Sequence, residues 1–477
     1  MGNPPKCQVS RRLKMSETMN KSAKVIQTVF KKKRASNIVA RFMRRTTQKR
    51  RAEFLKAICA DSGVCMAFGT SRKKIIDFFG GFTNMDYAIS PIKSIGNPSA
   101  NGFVKEVKYE KRGYTSFAVL KSAANAAADN LAYEYIVGQF INMQSKRFPC
   151  FIDTYGLYYY NTNAAWNHSK KTANMNAQVL RKDLTLQKNP FDYSKMCEDS
   201  KLCSILVEHL KGVRSLGDIL FNSPRVVDLQ SFILYKLPFI LYQIYLPLSL
   251  LRTVFTHYDL HQDNVLLYEP IKGKHIHYHY HLTSGVVSFK SPYIVKIIDY
   301  GRSFYNSDTL MKPLEIYHYL CAEPNCDLCG WESGLSWLDP VLNEDNFFIS
   351  SCMNNPSHDL RLLDIIKHEL DNPQTSNVSA LPQPGRIMFN TMKLMLDKVV
   401  YRVGITDPNN VHSGTEPNQA SGLPNNIHHV SDAEVELRRL VNDQFFKAAN
   451  NMRYTDVNKI GDMHIYEDGR PVSFVPQ

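Results

Sequence analysis

Two polar clusters, each tied to a short apolar run, constrain this chain more than any other feature. The first is His257-Tyr258-Asp259-Leu260-His261-Gln262-Asp263-Asn264, with Val265-Leu266-Leu267 directly after it. Asp259 and Asn264 stand five positions apart, just before a run that reads as a strand. The second apolar run, Ile294-Val295-Lys296-Ile297-Ile298, delivers Asp299-Tyr300-Gly301. A short apolar run bounded by polar residues is the pattern of a buried strand.

The spacing H-x-D-x-x-x-x-N, followed by a later D-x-G, resembles the catalytic and metal-binding loops of the protein-kinase-like superfamily. That resemblance implies an α+β, two-lobed protein-kinase-like fold, here with an N-terminal basic helical extension and inserts. It implies that Asp259 orients the acceptor hydroxyl, that Asn264 and Asp299 hold Mg2+, and that ATP is the donor. Phosphoryl transfer of this kind needs little covalent help and much positioning and charge neutralisation. His257 resembles the histidine that supports the loop backbone; taken alone it reads as a satisfied core histidine.

At 477 residues the chain has room for about two or three packed units. Ten cysteines in this length do not make a disulfide scaffold. The net charge of +14 is local: residues 1–56 carry 17 Lys and Arg against 2 Glu, and the remainder is nearly neutral. Val25 to Lys56 reads as a basic amphipathic helix, with Ile26, Val29, Phe30, Ile38 and Phe42 on its apolar stripe. Such an arm suits an acidic protein surface, nucleic acid or an anionic membrane, or it is a solvated helix packed by one edge. No apolar signal segment follows Met1-Gly2. The apolar stretch Leu237 to Leu251 is too short to span a bilayer, so no transmembrane segment is expected. The expected organisation is a basic helical arm (1–60), a linker (61–84), a small lobe with hinge (85–210), a large lobe (211–450) and a C-terminal extension (451–477).

Within 85–210, Gly102-x-Val104 matches only the end of a glycine-rich phosphate loop; alone it is an ordinary hairpin turn. Phe117-Ala118-Val119-Leu120-Lys121 resembles the strand whose lysine meets the ATP phosphates. A helix expected from Ala123 to Met143 brings Glu134, the implied partner of Lys121. The run Cys203 to Leu210 resembles the hinge, with the backbone of Glu208, His209 and Leu210 facing adenine. Asp153 to Phe191 reads as strands plus an insert.

Within 211–450, a helix or bent helix pair over Leu229 to Leu251 is expected, with Pro247 as the awkward position. Tyr258 replaces the arginine of H-R-D, which implies that control by activation-loop phosphorylation is absent. His261 is frequent at this place in small-molecule phosphotransferases of the superfamily, whereas Asp299-Tyr300-Gly301 leans toward protein kinases. His275, His277, His279 and His281 alternate with apolar residues, which places all four imidazoles on one strand face. That face reads either as solvated or as part of a metal site. Cys321, Cys326 and Cys329 suggest a structural Zn2+ site or free thiols, with His318 or Cys352 as a fourth ligand. Asp359 resembles the aspartate that braces the catalytic loop. Ser431-Asp432-Ala433-Glu434 reads as a capping box opening a helix through Phe446, packed by Val435, Leu437, Leu440 and Val441.

The leading expectation is an ATP- and magnesium-dependent protein serine/threonine kinase. A small-molecule phosphotransferase and a catalytically weak docking scaffold are the alternatives. A looser resemblance to kinase-like proteins of large DNA viruses implies a cytoplasmic or virion-associated protein.

Overall fold

The computed structural model describes residues 56–477 apart from 61–62, 97–101, 125–130, 188–199, 224, 314, 317–334, 339–345, 350, 352–353 and 402–425, and only scattered positions before 56. Residues 1–54 and 55–477 are separate units. In the first, Lys24, Gln27, Thr28, Lys31 and Lys33 are helical and exposed. The rest of the expected amphipathic stripe, and the cysteines 321, 326 and 329, lie outside the described residues.

The second unit opens with a hairpin of β1 (Ala57–Cys59) and β2 (Cys65–Ala67). Cys59 and Cys65 face each other across it and form a disulfide. The Arg72–Phe78 helix follows. The segment read as a linker therefore contains regular structure, and Phe79 and Phe82 are buried beneath it.

A seven-stranded sheet comes next. Its strands are β3 (Ala88–Ile95), β4 (Gly102–Lys111), β5 (Tyr114–Ala123), β6 (Thr154–Tyr160), β7 (Asn174–Met175), β8 (Leu184–Leu186) and β9 (Cys203–Glu208), in the order β7-β3-β4-β5-β9-β6-β8. Alternation builds it: Phe103, Val107 and Tyr109 of β4 point inward while Glu106 and Lys108 point outward. Ala123 belongs to β5, so the helix expected from Ala123 is described only as Leu131–Gln144. That helix lies close to β6, because a Cβ on Gly138 would stand 2.2 Å from Thr154 Oγ1. Within the stretch read as strands plus an insert, β6 and β8 are the strands, and the segment between them holds helices Asn163–Lys171 and Ala177–Asp183 along with β7.

The remainder is mainly helical. Helices Val226–Tyr235 and Leu237–Leu251 meet at 47°. The bend falls at Lys236, ahead of Pro238 in the first turn of the second helix, and Pro247 sits inside that helix without ending it. The second helix is buried on nearly every face, which explains its uninterrupted apolar run. No single helix among the described residues is long and apolar enough to cross a membrane.

Around this helix, β10 (Arg214–Ser215), β12 (Val265–Tyr268) and β15 (Ile294–Ile297) form one sheet, and β11 (Phe255–Thr256) pairs with β16 (Phe304–Tyr305). The insert before Asp299 is a hairpin of β13 (His275–Leu282) and β14 (Gly285–Ser291). A further pair is β17 (Leu335–Leu338) with β18 (Asn346–Ile349). The C-terminal strands β19 (Lys459–Tyr466) and β20 (Ser473–Pro476) extend the hairpin to the order β14-β13-β19-β20. The tail thus covers a sheet edge.

Three helix details differ from the sequence reading. The helix Val430–Asn442 is capped by His429 with Asp432 at its third position, because it starts at Val430 and leaves Ser431 inside the first turn. Val435 is 51% exposed and is not a packing residue, whereas Leu437, Leu440 and Val441 are buried. This helix stops before Asp443, whose carboxylate accepts the Phe445 and Phe446 amides and begins a new helix, Gln444–Arg453.

Candidate active site

The antiparallel pairing of β12 with β15 sets Val265 opposite Ile297. The residues flanking these strands, Asn264 and Asp299, therefore emerge at one end of the sheet. Ile298 N–H donates to Asn264 O at 3.0 Å and His257 Nε2 bonds Ile298 O at 3.0 Å, which ties the two loops together. Burial lowers the His257 pKa, so its ring is a neutral support.

Asp359 braces this loop as expected. Its carboxylate accepts His257 N–H at 2.8 Å and Tyr258 N–H at 3.0 Å. Burial pushes its pKa up to about 7, against the pull of those two amides. The brace holds Tyr258 at φ +63°, and Asp299 stands at φ +69°. Both are non-glycine residues in the left-handed region, a strain that persists only where surroundings over-determine it. Tyr258 is fully buried with its ring 4.9 Å from that of His358. Its side chain is part of the buried core.

Strand β5 and the Leu131–Gln144 helix bring Lys121 and Glu134 together. Lys121 Nζ lies 2.8 Å from Glu134 Oε2 and 2.8 Å from Asp299 Oδ1. Burial raises the Asp299 pKa, but the Lys121 ammonium outweighs it and holds the carboxyl below its ordinary value. Asn264 Nδ2 donates to Asp259 O at 2.9 Å, which fixes the amide plane within the loop. Asp299 and Asn264 offer hard oxygen donors of the kind Mg2+ takes.

Glu208, His209 and Leu210, expected as a hinge, have their own partners. Glu208 N–H donates to Asp153 O at 2.8 Å and His209 N–H to Phe117 O at 3.3 Å. Burial pushes the Glu208 carboxyl up, and Lys296 and Arg72 outweigh it to hold it below its ordinary value. His209 pairs with Glu106 at 3.2 Å, and Leu210 is buried in the core. Gly102 and Val104 lie on β4 beside Ala123 and Lys121 of β5. A Cβ on Gly102 would meet Ser122 O at 2.8 Å, so only glycine fits here. The segment before it, 97–101, lies outside the described residues.

Two features escaped the sequence reading. Arg361 Nη1 stands 3.1 Å from Asp259 Oδ1, and the only signal for it was its position two residues after Asp359. Arg72, Asp153, Glu208 and Lys296 form a buried charge cluster joining four distant segments. No local pattern announces a cluster assembled from such separations.

His261 also approaches Asp259, at 3.8 Å from Nε2. Its Nδ1 accepts Asp263 N–H at 3.3 Å, so the neutral ring carries its proton on Nε2, toward the Asp259 carboxylate. Burial lowers its pKa and keeps it neutral.

No family model and no curated protein matches this chain. A crystallised Plasmodium kinase domain is similar to part of it, at 16% identity and a TM-score of 0.26, covering 51% of this chain and 61% of that one. The chain thus spans about three fifths of that domain's length.

Proposed function

We propose that this protein transfers the γ-phosphoryl group of ATP, with Mg2+, to a serine or threonine hydroxyl of a protein. One observation carries the reading. Residues 121, 134 and 299, from a strand, a helix and a loop, converge within 2.8 Å contacts beside the braced Asp259 loop.

Bound MgATP would supply the phosphoryl group and the charge neutralisation at its oxygens. Lys121, held extended by Glu134, directs its ammonium at the α/β-phosphates. Asp299 and Asn264 are the oxygen ligands for the metal. Asp259 accepts the hydrogen bond of the acceptor hydroxyl and orients it for attack. Arg361 and the Nε2–H of His261 hold one oxygen of that carboxylate in position and leave its other oxygen to the acceptor.

A small-molecule acceptor is the second reading, favoured by His261 beside Asp259. Purified protein incubated with γ-labelled ATP, Mg2+ and either mixed protein or mixed metabolite acceptors separates the two. Label in protein hydroxyl esters supports the first, and label in metabolites supports the second. Absence of both transfer and nucleotide affinity would leave a docking scaffold.

A further inference from the structure

The hairpin strand β13 and the C-terminal strand β19 run parallel, with His277 opposite Asp462, His279 opposite His464 and His281 opposite Tyr466. At the start of β13 the pairing skips Ile460 of β19, and His275 is fully buried with its ring packed on Tyr454. Three of the four alternating histidines therefore share a face with two polar residues from the far end of the chain. Beneath them, Tyr278 and Tyr280 are buried in the core.

The ligand atoms of His277, His279 and Asp462 all lie within 4.8 Å of one another. Asp462 Oδ1 is 3.1 Å from His279 Nε2 and 3.6 Å from His277 Nδ1. A tetrahedral ion with bonds of about 2.0–2.1 Å spaces its ligands roughly 3.3 Å apart. The two Asp462–histidine separations bracket that value.

We propose that His277, His279 and Asp462 bind one divalent transition-metal ion of the zinc class, with a fourth position open to water or to His464. The set of two imidazoles and one carboxylate suits such an ion better than Mg2+ or Ca2+, which prefer oxygen. The flanking contacts are those of a supported site. Lys459 Nζ holds Asp462 Oδ2 at 2.8 Å, turning Oδ1 toward the histidines. Ser288 Oγ lies 2.9 Å from His279 Nδ1, and a proton given to Ser288 leaves the Nε2 lone pair facing Asp462. Lys290, the cation across from His277 on β14, sends its ammonium elsewhere, to Tyr454 O at 2.9 Å. A cleft of about 250 Å³ touching His277 and Ser288 gives access.

The His464 ring stacks 4.8 Å from that of His279, and its Nδ1 is 3.0 Å from His281 Nε2. An ion here ties two strands whose residues are 183 positions apart in the sequence. It fastens the C-terminal strands to the helical body, a role separate from phosphoryl transfer.

The test uses the full chain, stripped by a chelator and kept in excess Mg2+ to saturate oxygen sites. Zn2+ is titrated by calorimetry and Co2+ by visible absorption. The expected result is one tight equivalent, a Co2+ spectrum with ligand-field bands but no thiolate charge transfer, and a rise in Tm on loading. Asp462→Asn and His279→Asn should each remove that equivalent while the metal-free Tm stays near that of the parent. Cys326→Ser with Cys329→Ser should leave it in place. If the metal-free variants prove unstable, the Co2+ spectrum of the parent still decides through its ligand signature. An equivalent that survives both Asp462→Asn and His279→Asn, a thiolate spectrum, or no micromolar binding would overturn the proposal.

Discussion

Arg361 Nη1 meets Asp259 Oδ1 at 3.1 Å, with both side chains only 11% exposed. The pair fixes the carboxylate that the proposed reaction turns toward the acceptor. A hydrogen bond to a charged group contributes about 1.5–3 kcal/mol, or roughly 10- to 150-fold in rate where the loss falls on the transition state. Arg361→Ala should lower kcat by that range and leave the KM for ATP nearly unchanged. Arg361→Lys should restore part of the loss. Steady-state kinetics on all three proteins checks this. A change confined to KM for ATP would place Arg361 outside the acceptor end of the site.

Lys121 tests the nucleotide end. Lys121→Met should weaken MgATP binding about 10- to 100-fold, the value of a charge-assisted contact. Glu134→Gln should cost less, because the lysine remains beside Asp299. The double variant should resemble Lys121→Met alone, since Glu134 acts through the lysine. Calorimetric titration of MgATP measures all four.

His358 gives a pH dependence of stability. Its ring is fully buried, neither nitrogen has a hydrogen-bond partner among the described residues, and burial with Arg361 nearby pulls its pKa down to about 3. The folded state therefore holds it neutral. Its contribution is complete above the unfolded value of about 6.5 and is lost as pH falls from there toward 3. At pH 5 the loss is about 2 kcal/mol. Urea midpoints at pH 7 and 5 should separate by less in His358→Phe than in the parent. An equal separation would remove His358 as the cause.

Lys296 is 3% exposed and shared between Phe151 O and Glu208. Replacing it by Met leaves Asp153 and Glu208 with Arg72 alone. Removing one partner of a buried ionic group typically costs about 3–5 kcal/mol. Chemical denaturation of Lys296→Met should show a loss of that order. Little change would mean that water already solvates the cluster.

The legible part of this molecule was the part written in contiguous residues. The Asp259 loop, the strand carrying Lys121 and the aspartate at 359 each carry a local pattern of apolar run and polar residue; the fold sets Lys121 on β5, which continues to Ala123, and Asp359 against the backbone of the Asp259 loop. Glu134 was found because its helix offered one glutamate in its described length. Contacts that depend on distant pairing were not legible. Asp462 meets His277 and His279 only because the C-terminal strand adds to an insert hairpin, and a period of two says nothing about which strand lies alongside. The burial of His275 against Tyr454, apart from the other three histidines, is equally invisible in the alternation. Arg72 was read as part of a linker because its partners, Asp153 and Glu208, come from strands far downstream. The bend at Lys236 rather than at Pro247 reflects burial, since a helix enclosed on nearly all sides tolerates a proline that an isolated one would not.

The central claim is that Asp259 orients an acceptor hydroxyl toward the γ-phosphoryl of ATP. Asp259→Asn keeps the size of the side chain and removes its charge. Its transfer rate should be compared with that of the parent, using γ-labelled ATP, Mg2+ and the acceptor class that the parent labels, while MgATP affinity is measured on the same samples. The predicted result is a fall in kcat of about 10²- to 10⁴-fold, the range for loss of a positioned general base, with nucleotide affinity retained. Transfer at the parental rate in Asp259→Asn would contradict the account.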